Sequence, residues 1–298
     1  MSEWGMPPVI GVIGGSGVYE IDGLASCEWK TVSSPFGEVS DQLMFGELDG
    51  QKMVFLPRHG RGHRLSPTKV NYRANIDALK RARVTEIISV SACGSLAENL
   101  APGTFVIIDQ FIDRTVARER SFFGDGLVAH VSLGDPVCGR VGDALESAAR
   151  EIGVPASRGG TYLAIEGPQF STRAESNLYR QWGADVIGMT NMPEARLARE
   201  AEICYATVAM VTDYDCWHPD HEQVNVAQVI AVLLANADKA RDLVRAVVPK
   251  LAGRSQTCAQ GCHRALDAAL ITPPDARDPK VLERLDAVAG RALAGSKS

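Results

Sequence analysis

What this sequence lacks narrows it before any motif is read. No apolar run approaches the roughly 18 residues that a membrane-spanning helix needs. The start, Met1-Ser2-Glu3-Trp4, carries neither a basic flank nor an apolar signal core, so a cytoplasmic protein with no membrane partner is expected. There is no surplus of positive charge either: 31 Lys+Arg stand against 36 Asp+Glu, a formal net charge of −5, and no block of like charge occurs. A nucleic-acid partner is therefore not expected, and any bound anion must be held by local groups. Internal repeats and low-complexity segments are missing, which excludes a solenoid and a wholly disordered chain. The seven cysteines, Cys27, Cys93, Cys138, Cys204, Cys216, Cys258 and Cys262, are odd in number and scattered, which argues against a fully paired disulfide framework and for reduced thiols.

What remains is an ordinary globular composition, 45% hydrophobic and 22% charged over 298 residues, enough for one large α/β domain or two small ones. Short β-rich runs at Val9–Ile13, Met53–Leu56, Ile87–Val90, Phe105–Ile108, Tyr162–Ile165 and Tyr205–Val211 read as strands. Helical spacing appears between them, at Val141, Leu145, Ala148, Ala149 and Ile152, and again at Val229, Leu233, Ala237, Ala240, Val244 and Val247. Strands alternating with helices predict an α/β fold, and near-continuous apolar strands predict a mostly parallel or mixed sheet covered on both faces. The composition shifts after Lys250, so residues 1–250 are expected to form one domain and 251–298 a loop-rich tail with a C-terminal helix through Val281, Leu285, Val288 and Leu293.

Several strand ends carry chemistry. Gly14-Gly15-Ser16-Gly17 leaves backbone N–H groups and a hydroxyl free to meet an anion, although it lacks the third glycine of a dinucleotide fingerprint and the lysine of a P-loop. Arg58-His59-Gly60 puts a guanidinium and an imidazole at a strand's carboxyl end, where α/β proteins bind ligands. Ser91-Ala92-Cys93-Gly94-Ser95 is a third junction of small residues, and the three could converge on one sheet edge. Asp213 and Asp215 follow the most apolar strand; partial burial and mutual repulsion would raise one pKa enough to hold a proton near neutrality. Taken singly, each motif also has a bland reading as a turn, a solvated loop, close packing or a cap. Two sets, Cys216 with His218 and His221, and Cys258 with Cys262 and His263, do not supply four ligands at zinc-finger spacing, so no metal site is expected; a bond between Cys258 and Cys262 is left open.

Read jointly, Gly14-Gly15-Ser16-Gly17, Pro57-Arg58-His59-Gly60, Lys69-Val70-Asn71-Tyr72, Ser91 to Ser95, Ile165-Glu166-Gly167-Pro168-Gln169-Phe170 and Thr212 to Trp217 resemble the 5′-methylthioadenosine phosphorylases, within the trimeric purine nucleoside phosphorylase family. The likeness runs in unbroken order from about Val9 to Val248. It implies a single α/β domain, a homotrimer, and phosphorolysis of a small-molecule nucleoside with phosphate as co-substrate and no cofactor. Carried over by position, it implies a phosphate site of Ser16, Arg58, His59, Ser91, Ala92 and Thr190, with serine at 16 and 91 where many members have threonine. It further implies Phe170 against the purine, Met189 at the ribose, Val226, Val229 and Ile230 around the methylthio group, and His130 donated by an adjacent subunit. Asp213 would protonate the purine N7 and Asp215 accept from the exocyclic amine, while the loop from Tyr214 to Gln223 would close over the substrate. Gly188 stands where the resemblance calls for asparagine. Two alternatives remain at this point: a phosphorylase of the same fold preferring methylthioinosine or another purine nucleoside, and a nucleotide-binding module without chemistry.

Overall fold

The computed structural model describes residues 7–15, 20–219, 226–252 and 258–295. In chain order its strands are β1 (Ile10–Gly14), β2 (Ala25–Lys30), β3 (Leu43–Leu48), β4 (Gln51–Pro57), β5 (Glu86–Ser95), β6 (Phe105–Ile107), β7 (Gln110–Asp113), β8 (Ala156–Arg158), β9 (Thr161–Ala164), β10 (Val186–Gly188) and β11 (Cys204–Asp213). The helices are α1 (Tyr72–Arg81), α2 (Gly139–Glu151), α3 (Arg173–Gln181), α4 (Asn191–Glu200), α5 (Val226–Ala252), α6 (Pro279–Arg284) and α7 (Asp286–Gly295). Among the described residues all eleven strands join one mixed sheet.

The ten-residue β5 is its hub. It runs parallel to β1 over Glu86–Ser89 and parallel to β11 along its whole length, and at Gly94–Ser95 it turns to pair antiparallel with β10. β4 lies beyond β1, in parallel, with Gly14 opposite Pro57. The side chains of these strands alternate between two cores, as a strand buried on both faces requires. Ile13, Val54, Leu56, Ile87, Tyr205, Ala209 and Val211 face the core under α1, α4 and α7. Val12, Met53, Phe55, Ile88, Ala206, Val208 and Met210 face the core under α2 and α5.

The mixed sheet flanked by helices agrees with the fold expected from the sequence, and every predicted strand is present. What the pattern did not reveal has physical reasons. β2 is an exposed edge strand whose ASCEWK shows no in–out alternation, and β8 and β10 are three residues long. α1 buries Asn75, Asp77 and Lys80, so its inward face reads as polar. The single helix expected near the C-terminus is two, because the chain breaks at Leu285, where φ is −95° and ψ 12°. That segment does not hang free: Leu266, Leu285, Val288 and Ala289 are buried in the core that also holds Ala74 and Leu79, and Arg81 makes a forked ion pair with Asp286. No helix among the described residues is long and apolar enough to cross a membrane.

Candidate active site

The carboxyl ends of β1, β4, β5 and β11 meet at one edge, which brings the four sequence motifs together through hydrogen bonds and strand register. The Arg58 N–H donates to Gly14 O at 3.0 Å, stitching the second motif to the first. Gly14 and Gly15 are described; Ser16, with Gly17 to Tyr19, lies outside the described residues.

The Arg58 side chain is 2% exposed, and its role is read from its partners. Nε and Nη2 grip both oxygens of Glu194 at 2.8 and 3.1 Å, Nη2 also reaches Ser89 Oγ at 2.6 Å, and Nη1 donates to Val90 O at 3.1 Å. This geometry leaves one of the five guanidinium N–H groups, on Nη1, without a partner among the described residues. Glu194 also accepts from Ser89 Oγ at 2.6 Å and from Tyr205 Oη at 2.9 Å. Asn191 carries the network on: its Nδ2 lies within hydrogen-bond reach of Tyr205 Oη and Thr207 Oγ1, and its Oδ1 accepts from Ser91 Oγ at 2.8 Å. Arg58, Glu194, Ser89, Asn191, Tyr205, Thr207 and Ser91 thus form one buried polar cluster under the edge. Isolated in an apolar core these groups would be costly, and it is their mutual pairing that makes them tolerable.

His59 donates Nδ1–H to Leu65 O at 2.8 Å, and since a carbonyl only accepts, the free Nε2 of the neutral ring is an acceptor. Burial and the adjacent Arg58 charge hold its pKa down at about 4. Ala92 is half-buried, and Thr190 is buried immediately before α4.

The base of the other motif is a bulge. β11 pairs with β5 residue by residue until its register shifts between Val211 and Asp213, which re-aims the strand end and sets Asp213 opposite Gly94. A Cβ on Gly94 would stand 2.9 Å from Asp213 Oδ1 and 3.1 Å from Ile187 Cγ2, so only glycine permits this approach. Asp213 Oδ1 accepts the Asp215 N–H at 2.8 Å, and Oδ2 lies 2.7 Å from Thr212 Oγ1. Asp215 is held at φ 50°, a left-handed conformation that aspartate tolerates better than most residues. Burial pushes both carboxyls above their ordinary range; the neighbouring Asp213 charge adds to the rise at Asp215, and the hydrogen bonds Asp213 receives do not overcome its burial. The loop beyond is pinned by Trp217, whose Nε1 donates to Ser95 O at 2.8 Å while the Arg180 guanidinium stacks 3.4 Å above the ring. Residues 220–223 of that loop lie outside the described residues.

Between the two ends sits the segment from Met189 to Met192, held by the buried Arg118, which donates to Met189 O, Met192 O and Glu166 O. Glu166 in turn accepts from Thr68 Oγ1, two backbone N–H groups and Arg118 Nε. Burial works against its charge, but those bonds prevail and hold its pKa at about 2. The departure at Gly188 also has an explanation here: a Cβ would fall 1.9 Å from Tyr162 Oη, so the ring of Tyr162 fills the space a side chain would need. Phe170 is 45% exposed beside this segment's loop, and Ile230 is 48% exposed on α5; the side chains of Val226 and Val229 lie outside what is described. His130 is exposed and stands apart. Its N–H donates to Ala269 O, and with Arg199, Gln260, Arg264 and Asp267 it lines a cavity of about 470 Å³ that none of the strand-end residues touch.

Sequence reasoning missed Glu194, Asn191, Ser89, Tyr205 and Thr207. The available signal was a carboxylate at the head of a helix, one turn before the fully buried Ala198 on the same face. The sulfurs of Cys258 and Cys262, a pair the sequence reading set beside His263 without taking it for a metal site, gather with those of Cys138 and Cys204.

An edge with hydroxyls, an anchored arginine and an imidazole at one end, and a carboxyl pushed toward its protonated form about 10 Å further on, opposite Gly94 of β5, suits an enzyme that attacks with an oxyanion while protonating a leaving group. A sequence model of the phosphorylase superfamily matches residues 9–249, and the chain belongs to that family. It is 67% identical over 293 residues to the S-methyl-5′-thioadenosine phosphorylase of Rhodospirillum rubrum, covering 98% of this chain and all of that one. A methylthioadenosine phosphorylase from an antarctic soil metagenomic library superposes with a TM-score of 0.90 at 49% identity, over 95% of this chain and 99% of that one. The Schistosoma mansoni methylthioadenosine phosphorylase in complex with adenine gives 0.77 at 36% identity, over 83% and 93%.

Proposed function

We propose that the protein cleaves 5′-methylthioadenosine with inorganic phosphate, yielding adenine and 5-methylthioribose 1-phosphate, in methionine and purine salvage in the cytoplasm and without a cofactor. The observation that carries this reading is the Asp213 carboxyl, pushed toward its protonated form by burial and set against Gly94, three residues along β5 from Ser91.

Phosphate oxygen attacks C1′ as the C1′–N9 bond breaks, and the bonding pair leaves with the purine. Negative charge then builds on the imidazole ring of the base, and an acid at N7 stabilises it most where it develops. Oδ1 of Asp213 accepts the Asp215 N–H, and the transferable proton is carried on Oδ2, where Thr212 Oγ1 can turn its own hydrogen to Cys93 O at 3.1 Å and accept instead. The proton passes to N7, adenine departs neutral, and Asp213 is left as a carboxylate to be reprotonated from solvent. Asp215 accepts from the exocyclic amine directly or through water.

At the anion end, Ser16, Ser91 and Thr190 offer hydroxyls and Ala92 its N–H. Arg58 contributes the Nη1 N–H that no described residue takes up and otherwise positions Ser89, Val90 and Glu194. The free Nε2 of His59 accepts the phosphate's own O–H, so a monoprotonated phosphate fits and the ring needs no charge. Phe170 covers the purine and Met189 the ribose. Val226, Val229 and Ile230 wall an apolar 5′ pocket in which a hydroxyl would be left unpaired. His130 completes the site of a neighbour in a homotrimer, in keeping with its exposure in the single chain.

Adenine release from methylthioadenosine with and without phosphate tests the reaction class. Release is expected only with phosphate, and methylthioinosine run beside it should turn over more slowly; the reverse preference would overturn the substrate assignment.

A further inference from the structure

Four of the seven cysteines converge at the end of β11 opposite Asp213. Cys138 caps the N-terminus of α2, Cys204 opens β11, and Cys258 and Cys262 lie on the turn that follows α5. All four are at most 3% exposed, and their sulfurs lie within 4.8 Å of one another. Cys258 Sγ stands 3.7 Å from Cys138 Sγ and 3.6 Å from Cys262 Sγ. We propose that Cys138, Cys204, Cys258 and Cys262 form a structural four-thiolate site for one zinc-like divalent cation, which ties the C-terminal segment to the body of the fold.

The distances favour an ion. Four sulfurs at about 2.3 Å from a tetrahedral zinc stand roughly 3.8 Å apart. A disulfide brings two sulfurs to about 2.05 Å and leaves no reason for four to surround one point. The Cys258–Cys262 pair has the short spacing of a zinc-binding turn, and the other two ligands are fixed by a helix start and a strand start. The donor set also suits the metal, since thiolate-only sites select zinc over harder cations.

Four thiolates around a dication carry a net charge of about −2, which a buried site must offset. The Arg199 Nη1 donates to Cys262 Sγ at 3.5 Å. The helix start at Cys138 adds its positive end. A staple here has a mechanical rationale: from Cys258 onward the chain supplies Leu266, Leu285, Val288 and Ala289 to the core and the Leu270 bridge to Ala129, beside His130. The site is remote from the reacting atoms, so the proposal stands whatever the substrate proves to be.

The full-length protein, produced with zinc in the medium, should carry about one zinc per chain by elemental analysis after gel filtration in EDTA. Mercurial titration should release that zinc as about four thiols are consumed, and cobalt exchanged into the protein should show the strong visible bands of tetrahedral thiolate coordination. The double variant Cys258→Ser/Cys262→Ser should hold at least tenfold less zinc, whereas Cys27→Ser, at an exposed position, should hold the full complement. Should the double variant fail to fold, metal content and the cobalt spectrum of the unaltered protein decide alone. Less than about a tenth of a zinc per chain would overturn the proposal, whether the denatured protein then shows free thiols or a mass about 4 Da lower, the mark of two disulfides.

Discussion

The two ends of the catalytic edge are built on opposite electrostatic plans. At the anion end a full positive charge is buried at 2% exposure, and a full negative charge is buried with it, each nearly saturated by hydrogen bonds. At the base end two carboxyls sit two residues apart, Asp213 with a hydroxyl and an N–H as its partners among the described residues, and burial drives both toward neutrality. The first arrangement fixes charges so that geometry never changes; the second pushes its carboxyls toward the protonated form, as the proposed proton transfer to the leaving base requires. Phosphorolysis needs both, because the incoming oxyanion must be oriented throughout while the leaving base becomes charged only in the transition state.

Breaking the fixed-charge end should have the largest effect. Glu194→Ala strands the Arg58 guanidinium in the core together with Ser89 and Tyr205, and removing one partner of a buried pair costs about 3–5 kcal/mol. A correspondingly lower urea midpoint is expected, along with loss of activity as the Ser89 to Ser91 segment shifts. An unchanged midpoint would mean that the pair is not closed as described.

At the proton-holding end the signature is kinetic rather than structural. Asp213→Asn should lower kcat by about 10²-fold or more, the usual contribution of a positioned general acid, with little change in the KM for phosphate. The sign of the pH dependence follows from the raised pKa: the active form is the protonated one, so wild-type turnover falls as pH rises through that pKa, and the variant loses this descending limb. Stability runs the same way. Asp213 binds its proton more tightly when folded, a contribution present at low pH and lost as pH rises, so the asparagine variant should melt no lower than wild type at neutral pH. A parallel loss of Tm would assign Asp213 a structural role instead.

This contrast also explains what was legible in the sequence. Strand ends carrying Arg58-His59, Ser91 and Asp213 were visible because short apolar runs announce the strands, and a polar residue at such an end is conspicuous. The partners of Arg58 were not. Glu194 and Asn191 arrive from a helix more than 130 residues away in the chain from Arg58, and nothing in local spacing distinguishes an inward acid from a solvated one. The cysteine cluster was hidden for the same reason, since Cys138 and Cys204 are brought to Cys258 only by the packing of α2 and β11. Tail docking was half visible: the apolar spacing of Val281 to Leu293 could be read, but not the break at Leu285.

Between the two ends, Gly188 and Tyr162 test whether the chain leading into Met189 is rigid. Gly188→Ala puts a methyl 1.9 Å from a hydroxyl on a fully buried ring, and overpacking of this kind costs about 1–3 kcal/mol. The double variant with Tyr162→Leu should recover most of that loss, which a thermodynamic cycle on melting data would reveal as coupling. Additive losses would mean that the two side chains do not compete for the same space.

The smallest expected effect lies where Phe170 leads into α3. Thr172 caps that helix by accepting from the Glu175 N–H, and Glu175 reaches back to the Thr172 N–H at 2.8 Å, a reciprocal capping box on an exposed turn. Thr172→Ala removes half of the box and should cost about 1 kcal/mol. If Phe170 covers the purine, that loosening should raise the KM for the nucleoside severalfold while leaving kcat and the KM for phosphate nearly untouched, since neither the Arg58 cluster nor Asp213 touches the box. A change confined to phosphate kinetics would place the segment at the wrong end of the edge.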